Sequence, residues 1–470
     1  MHQKNKRLFG NVGILAISNF STKILSLLLV PLYTSILTTE EYGVFDLVVT
    51  TVELLIPILT LNICDAVMRF LLDTQKSKDA VSQIGLKYLG IALTFASVIV
   101  FVCSRIEIFN SYATLFIWIW LYFILHLTYQ FLVQYAKGLE CVKDIGIASV
   151  LSTIINLSCN ILFLVVFNWG IKGFFISNVF ASGLVILYMV IRLRIWRRIK
   201  VIQSDKQLEK EMLSFCIPLI FTAIAWWANS SLDKYVVTFF CGVAANGLIS
   251  VAYKIPSIVN TLQTIFIQAW QISAIREFED KDKNRFYESI FIGFNFFLCG
   301  AGFGLIFLSK FIAHIMFSDE FFVAWKYVPF LIIASIINSA SGFIGPILSA
   351  QKKTKPFAVS ATVGLISNSI LNCILVFLLG IQGATVATVV SSFLMYYVRK
   401  KACIKFISTP KHMLILLQWL LLCLQAIVKI CELNIGVELI IGLLGIGINL
   451  VLIKNLIQSC KQQKGKGECK

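Results

Sequence analysis

Long apolar runs follow one another along almost the whole chain, separated by short polar segments, and this pattern leaves few folds open. An α-helix needs about 20 apolar residues to cross a bilayer, and the runs have this length. They predict about fourteen transmembrane helices, at about 10–37, 43–71, 84–104, 112–136, 146–167, 171–191, 212–240, 246–272, 287–309, 325–350, 357–379, 383–399, 412–431 and 437–457. The sequence therefore predicts an all-α integral membrane protein, with no polar stretch long enough for a soluble nucleotide-binding domain.

The composition also indicates a membrane protein. Of the 470 residues, 58% are hydrophobic and 14% are charged, whereas about 25% of the residues in a soluble protein are charged. The 13 cysteines form no CxxC pair, and the four histidines are scattered along the chain. We therefore expect no structural disulfide, no metal site and no cofactor.

Basic residues are distributed unequally between the two sides of the predicted spans. If the N-terminus is cytoplasmic, thirty Lys and Arg residues lie in the inside segments. The outside carries only five, which are Arg105, Lys172, Lys310, Lys326 and Lys429. The positive-inside rule then predicts that both termini are cytoplasmic. The net charge of +17 therefore reflects membrane orientation, and we expect no nucleic-acid partner.

Two segments resemble each other at a constant offset of 210 residues. The sequence GIKGFFISNVFAS begins at Gly170, and GIQGATVATVVSS begins at Gly380. Upstream, Asn160 corresponds to Asn372 once two residues are gapped. Six helices thus repeat, and an even number gives both copies the same orientation, as in parallel repeats related by an axis along the membrane normal. Chance similarity between apolar segments is the alternative.

The repeat predicts three parts of the chain. Residues 1–200 would form an N-terminal six-helix bundle, and 201–411 a C-terminal six-helix bundle, the two being pseudo-symmetric around a central cavity. Residues 412–470 would form a C-terminal helix pair with a basic cytoplasmic tail. The most basic loop, 192–211, falls halfway along the chain. This loop is either a hinge between the halves on anionic headgroups or a plain orientation signal.

Four predicted helices carry polar residues along one face, at the spacing of helical neighbours. The faces are Asn19, Thr22, Lys23, Ser26 and Tyr33; Asp46, Thr50, Glu53, Pro57 and Thr60; Thr222, Trp226, Asn229 and Asp233; and Ser250, Lys254, Ser257, Thr261, Thr264 and Gln268. Charged groups near the bilayer centre cost about 2.5 to 3.5 kcal/mol each, so they face a partner or water. The four faces are predicted to line a wet cleft between the bundles. For Ser and Thr alone, ordinary interhelical packing is the alternative.

Cations on two of these faces indicate a ligand that bears phosphate. Lys23 and Lys254 are deep within their predicted helices, and ammonium groups bind phosphate as point charges. Structural ion pairs of Lys23 with Glu53 and of Lys254 with Asp233 are the alternative. Sugar hydroxyls would meet Asn19, Trp226, Asn229 and Gln268, and Glu53 or Asp233 could couple transport to an ion.

Asp65 and Arg69 are an i, i+4 pair near the inner end of the second predicted helix. They would form a cytoplasmic gate or collect an anionic headgroup, with a local salt bridge as the alternative.

Several segments together resemble one family. They are PLYTSILTTEEYGVFDL from Pro31 to Leu47, NICDAVMRF, SLDKY, GLISVAYK and LNCILVFLLGIQGATVATVVS. These segments resemble the bacterial polysaccharide flippases of the multidrug/oligosaccharidyl-lipid/polysaccharide exporter superfamily. The resemblance implies translocation of undecaprenyl-pyrophosphate-linked repeat units of O-antigen, capsule or a related polysaccharide across the bacterial cytoplasmic membrane. It also implies that Arg69 and the cleft lysines match basic positions that bind the headgroup in the family. A polysaccharide polymerase and chain-length machinery are the implied protein partners.

Two other functions compete with this interpretation. A multidrug exporter of the same superfamily would need an acidic, aromatic site for cationic drugs, whereas the predicted cleft carries cations. A membrane glycosyltransferase or polymerase needs outside loops that hold an acceptor, and the predicted outside loops are short. We therefore expect a transporter and no enzymatic activity.

Overall fold

A computed structural model of the protein describes Lys23 and residues 27–73, 75–197, 205–279, 283–351, 354–403 and 409–467. These residues fold into α-helices joined by short connections, and they contain no β-strand. The helices are α1 (Val30–Ile36), α2 (Thr39–Leu59), α3 (Ile63–Leu71), α4 (Lys78–Cys103), α5 (Phe116–Gly138), α6 (Val142–Asn160), α7 (Gly170–Leu193), α8 (Lys206–Cys241), α9 (Val243–Ala252), α10 (Pro256–Arg276), α11 (Lys283–Met316), α12 (Val328–Ala350), α13 (Thr354–Leu379), α14 (Ile381–Ala402), α15 (Thr409–Ile430) and α16 (Ile435–Gly467). The all-α fold predicted from the sequence is confirmed.

Eleven helices within the described residues are long and apolar enough to cross a membrane. They correspond to predicted spans 2 to 7 and 9 to 13. Predicted span 8 is divided into α9 and α10, and predicted span 14 corresponds to the shorter apolar segment Ile435–Val451. Most of predicted span 1 lies outside the described residues. The total of fourteen spans and the cytoplasmic termini stay predictions.

The chain forms two compact units, Met1–Ser231 and Leu232–Lys470. The first unit has a continuous core of aromatic and branched side chains from α3, α4, α5 and α7, including Val67, Phe131 and Phe175. In the second unit, α12 is the most buried of the apolar spans and packs against α10, α11, α14 and α15. The three-part division at residues 200 and 411 stays a prediction.

Local sequence explains where α2 begins. Thr38 is its N-cap, and its hydroxyl accepts a hydrogen bond from the Glu41 backbone N–H at 3.1 Å. The Glu41 carboxylate accepts one from the Thr38 N–H at 3.0 Å. This capping box satisfies two backbone donors that a helix start otherwise leaves unpaired. The TTEEYG segment therefore starts a helix at this point.

Two of the predicted helices are each divided into two. α2 ends at Leu59, two residues after Pro57, and Asn62 has a left-handed φ of 54° before α3 begins. α9 ends at Ala252 and α10 begins at Pro256. Proline removes a backbone donor and disfavours helix in the residue before it. The prediction of continuous helices over 43–71 and 246–272 is therefore wrong.

The glycines of the repeated segments share two features in both copies. Gly170 has a φ of 52° and Gly380 a φ of 61°, a conformation that favours glycine. A Cβ on Gly173 would lie 2.9 Å from the carbonyl oxygen of Phe163, and one on Gly383 would overlap that of Leu375. In each copy, the second glycine therefore lets its helix approach the backbone of the preceding one.

The asparagines of the repeat also share their contacts. Asn160 Nδ2 donates to the Oδ1 and the carbonyl oxygen of Asn156, at 2.6 and 2.7 Å. Asn372 Nδ2 donates to the same two atoms of Asn368, at 3.0 and 2.9 Å. Both Asn160 and Asn372 are fully buried. Chance similarity between apolar segments does not account for matching contacts of this kind.

Polar contacts hold the C-terminal helices α15 and α16 against α11. Gln425 Nε2 donates to the Phe303 carbonyl at 3.2 Å, and Lys429 Nζ donates to the Phe307 carbonyl at 2.8 Å. Lys429 also pairs with Glu438 of α16 at 3.2 Å. Such contacts favour helix association where lipid offers no hydrogen-bond partner.

Candidate functional site

In the first unit, the Asp65 carboxylate is held by two amides. Asn62 Nδ2 donates to Oδ2 at 2.9 Å, and Gln134 Nε2 of α5 donates to Oδ1 at 2.7 Å. Arg69 lies on the same short helix and is exposed. Within the described residues it forms no ion pair and no hydrogen bond, so the local Asp65–Arg69 salt bridge is not formed. The Arg69 guanidinium is therefore available to an external anion.

The N-terminal half of α8 packs beside this cluster. Cys216 Sγ approaches the Asn62 carbonyl at 3.5 Å, and the Phe70 and Phe215 rings lie 6.0 Å apart, edge to face. Glu211 pairs with Lys76 in the α3–α4 connection at 2.6 Å, and this hydrogen bond raises the pKa of Lys76. These contacts connect α8 to α3 and to the α3–α4 connection within the first unit.

Further along α8, two adjacent tryptophans point in different directions. Trp227 Nε1 donates to the Thr50 carbonyl of α2 at 2.8 Å. Trp226 is 68% exposed, and Asn229 is also exposed. The contact of Trp227 with α2 therefore leaves Trp226 and Asn229, two residues predicted to meet the sugar, on the open face of the helix.

In the second unit, Asp233 of α8 is buried and accepts a hydrogen bond from the Tyr253 hydroxyl. The Tyr253 hydroxyl also meets the Thr388 hydroxyl of α14. Tyr253 and the half-buried Lys254 lie in the turn between α9 and α10. The basic Lys254 therefore directly follows, along the chain, the tyrosine that donates to the acidic Asp233.

The other predicted residues have different environments. Lys23 is helical and exposed, and Glu53 and Gln268 are exposed. Glu53 is close enough to Tyr122 for an electrostatic interaction. Asn19 lies outside the described residues. The joint cleft of the four faces stays a prediction.

Threonine hydroxyls on the described parts of the predicted faces form hydrogen bonds within their own helices. Thr50 Oγ1 donates to the Asp46 carbonyl at 2.7 Å, and Thr60 Oγ1 to the Ile56 carbonyl at 2.7 Å. Thr261 does the same with Ser257 at 2.8 Å. Ordinary helix packing therefore explains these hydroxyls, and the charged, amide and indole groups are the better candidates for ligand binding.

Sequence reasoning missed four residues of these clusters, namely Asn62, Gln134, Tyr253 and Thr388. Gln134 is a polar residue within an apolar run, and Thr388 falls at the position of Asn178 in the repeat offset. Tyr253 directly precedes Lys254, but a continuous helix would turn it about 100° away from that residue. The signal for Tyr253 is Pro256, which ends the regular helix three residues later.

Replacing Tyr253 by phenylalanine is expected to lower the free energy of unfolding by about 1 to 3 kcal/mol, because a buried carboxylate loses a donor. Thermal unfolding of the purified protein in detergent measures the change. Tyr327→Phe is the matched control, since Tyr327 packs against the same buried cluster and its hydroxyl has no hydrogen bond with a described residue. Equal effects of the two substitutions would show that the Asp233 contact contributes little.

Comparison with known proteins gives a family and a fold. A family model described as polysaccharide biosynthesis protein matches residues 8–271, more than half of the chain. No curated protein sequence matches the chain. A solved structure of the lipid II flippase MurJ in an inward closed conformation has a TM-score of 0.66 and 17% identity, covering 94% of this chain and 98% of that one.

Two further structures share the fold. An inward-facing multidrug resistance transporter of the MATE family has a TM-score of 0.60 and 14% identity, covering 84% of this chain and 100% of that one. A MOP superfamily transporter from Pyrococcus furiosus has a TM-score of 0.51 and 13% identity, covering 83% and 91%. The resemblance noted in the sequence is thus confirmed. The chain belongs to the polysaccharide biosynthesis protein family, and it is a multi-pass membrane protein with the fold of the MurJ and MATE structures.

Proposed function

We propose that the protein is a flippase for undecaprenyl-pyrophosphate-linked oligosaccharide repeat units of O-antigen, capsule or a related polysaccharide. It moves them across the bacterial cytoplasmic membrane by alternating access and catalyses no reaction. The observation that carries the proposal is the exposed Arg69 guanidinium, whose neighbour Asp65 is already held by Asn62 and Gln134. A cation left open in a membrane protein of this family suits a diphosphate headgroup.

The chemistry of the substrate limits what the protein has to do. A sugar diphosphate cannot cross hydrocarbon, whereas its polyprenyl tail can stay there, so the protein shields only the head. Arg69, Lys23 and Lys254 hold the pyrophosphate, and Trp226, Asn229 and Gln268 meet the sugar hydroxyls. Asn19, which lies outside the described residues, belongs to the same proposed set.

The direction of transport has an energetic source. Moving an anion out of an inside-negative cell is favoured by about 2.3 kcal/mol per charge and 100 mV. Coupling to an ion through Glu53 or Asp233 adds to this driving force but is not required for transport. Asp65 acts as a charge partner near Arg69. A polysaccharide polymerase and chain-length machinery then use the translocated units.

Similar structures support this choice within the superfamily. One of them is described as a lipid II flippase. Another is described by the reverse polarity of its binding pocket, which suggests a different function for that transporter. We therefore use the charge of the substrate-binding residues to distinguish between the candidate substrates. Exposed cations favour an anionic substrate over a cationic drug.

Loss of the protein tests the proposal. In a deletion strain we expect lipid-linked repeat units to accumulate on the inner face of the membrane and surface polymer to disappear. Oxidation of the sugars by impermeant periodate in spheroplasts, before and after permeabilisation, measures the sidedness. Re-expression of the wild-type chain should restore outer-face labelling.

Other outcomes of the same strain contradict the proposal. Unchanged sidedness with raised susceptibility to cationic drugs would indicate a multidrug exporter. Extension of the lipid-linked sugar by the purified protein would indicate a glycosyltransferase or polymerase.

A further inference from the structure

The first unit contains a cavity of about 580 Å³ that none of the predicted functional residues lines. Its lining is Trp118, Phe163, Trp169, Lys172, Ile176 and Phe180. These residues come from the start of α5, the segment after α6 and the start of α7. The cavity thus lies at one end of three membrane spans. Its volume is within the range of about 300 to 1,000 Å³ that small-molecule sites have.

A local deformation of the backbone forms one wall. α6 continues as a π-helix over Ile161–Val166, a rare arrangement that is frequent at functional sites. Asn168 and Gly170 both have a φ of 52°. The chain turns there so that the Trp169 ring stacks on Phe163, with 5.1 Å between ring centroids.

Lys172 is the only charged residue in the lining. Its side chain is exposed and, within the described residues, forms no hydrogen bond and no ion pair. Glu41 approaches the backbone at Gly170, but it does not line the cavity, and its carboxylate closes the capping box of α2. The cavity therefore offers one uncompensated ammonium group among aromatic rings.

The four other cations predicted on the outside all have a partner. Lys310 pairs with Glu432, and Lys429 pairs with Glu438. Arg105 lies over the Phe101 ring at 5.0 Å, and Lys326 is 5.9 Å from the Trp325 ring. Lys172 differs from this group because the described residues supply it with neither a carboxylate nor a ring at such a distance. Its charge is thus left for a ligand.

The surface next to the cavity is apolar. Val166 is 63% exposed, and Phe167 and Ile117 are also exposed. All three lie near the ends of membrane spans, where the hydrocarbon core of a bilayer meets its headgroup region. A ligand that reaches Lys172 from this surface therefore has both a negative head and apolar chains.

We propose that this cavity binds the headgroup of an anionic phospholipid. The phosphodiester contacts the Lys172 ammonium, the glycerol lies against Trp118 and Trp169, and the acyl chains follow the exposed apolar surface. Trp rings commonly lie at the level of lipid headgroups because they are amphipathic. The proposal concerns a lipid that stays bound at the side of the protein and does not depend on the transported substrate.

Native mass spectrometry of the whole protein in detergent tests this site. Phosphatidylglycerol is titrated against phosphatidylcholine with the same acyl chains. We expect the wild-type protein to prefer phosphatidylglycerol and Lys172→Gln to lose about tenfold in its affinity, the size of a hydrogen bond to a charged group. Lys172→Arg should keep the preference. Lys326→Gln, the matched control, should bind as the wild type does.

Three results would overturn the proposal. One is unchanged phosphatidylglycerol binding in Lys172→Gln, with a melting temperature equal to that of the wild type. Another is equal binding of the two phospholipids by the wild type. The third is displacement of phosphatidylglycerol by undecaprenyl phosphate at an equimolar amount, since the phosphate site would then belong to the polyprenyl carrier.

Discussion

Replacing Lys254 by alanine is expected to abolish surface display of the polymer while the amount of protein in the membrane stays the same. Lys254 lies in the turn between α9 and α10, half-buried and next to the Tyr253–Asp233 contact. A hydrogen bond between charged groups contributes about 1.5 to 3 kcal/mol. Loss of one contact to the diphosphate therefore lowers transport by about ten- to a hundredfold. Immunoblots of membranes and polymer gels from a complemented deletion strain measure the two quantities.

Three further variants sharpen this experiment. Arg69→Ala and Lys23→Ala should show the same loss, because each removes a cation from the proposed headgroup site. Lys254→Arg should retain part of the activity, since it keeps the charge. Lys355→Ala removes an exposed cation at the start of α13 and serves as the control. Normal polymer display in both Lys254→Ala and Lys23→Ala would refute the headgroup role.

Gly383→Ala is expected to lower the free energy of unfolding by about 3 kcal/mol, which is the upper end of the usual cost of overpacking a well-packed region. A Cβ at this position overlaps the carbonyl oxygen of Leu375, and backbone cannot move aside as a flexible side chain does. α13 and α14 would have to separate along their contact. Thermal unfolding in detergent and the yield of monodisperse protein measure the effect.

Two other glycines provide the comparison. Gly304→Ala should leave stability unchanged or slightly improved, because its Cβ meets nothing within 4 Å. Gly173→Ala, at the equivalent repeat position, should cost less than Gly383→Ala, since its Cβ would lie 2.9 Å from the nearest atom. Equal melting temperatures for Gly383→Ala and Gly304→Ala would mean that the close approach of α13 and α14 is not required.

The sequence predicts those features that depend on local pattern. Apolar runs predict the eleven described spans because the bilayer sets both the length and the composition of a crossing helix. The repeat is visible because Gly170 and Gly380 need an unusual backbone conformation, and because Asn160 and Asn372 need the same buried contacts. At such positions only one or a few residue types fit, so the residue type itself indicates the local structure.

Features that depend on contacts between residues far apart in the chain cannot be predicted from local sequence patterns. One partner of Asp65 is Gln134, 69 positions away, whereas the helical spacing indicated Arg69. Pro256, the first residue of α10, is visible in the sequence, but the direction of Tyr253 follows only from the geometry of the interruption. The aromatic cavity needs side chains from three spans, which no spacing rule brings together.

The contacts of α15 and α16 with α11 have a consequence for biosynthesis. Gln425 and Lys429 bond to the carbonyl oxygens of Phe303 and Phe307, which were synthesised more than a hundred residues earlier. Until α15 packs against α11, the Gln425 amide and the Lys429 ammonium lack these acceptors within the bilayer. The last helices therefore reach their most stable arrangement only after the second unit has formed α11, which couples the end of synthesis to the packing of this unit.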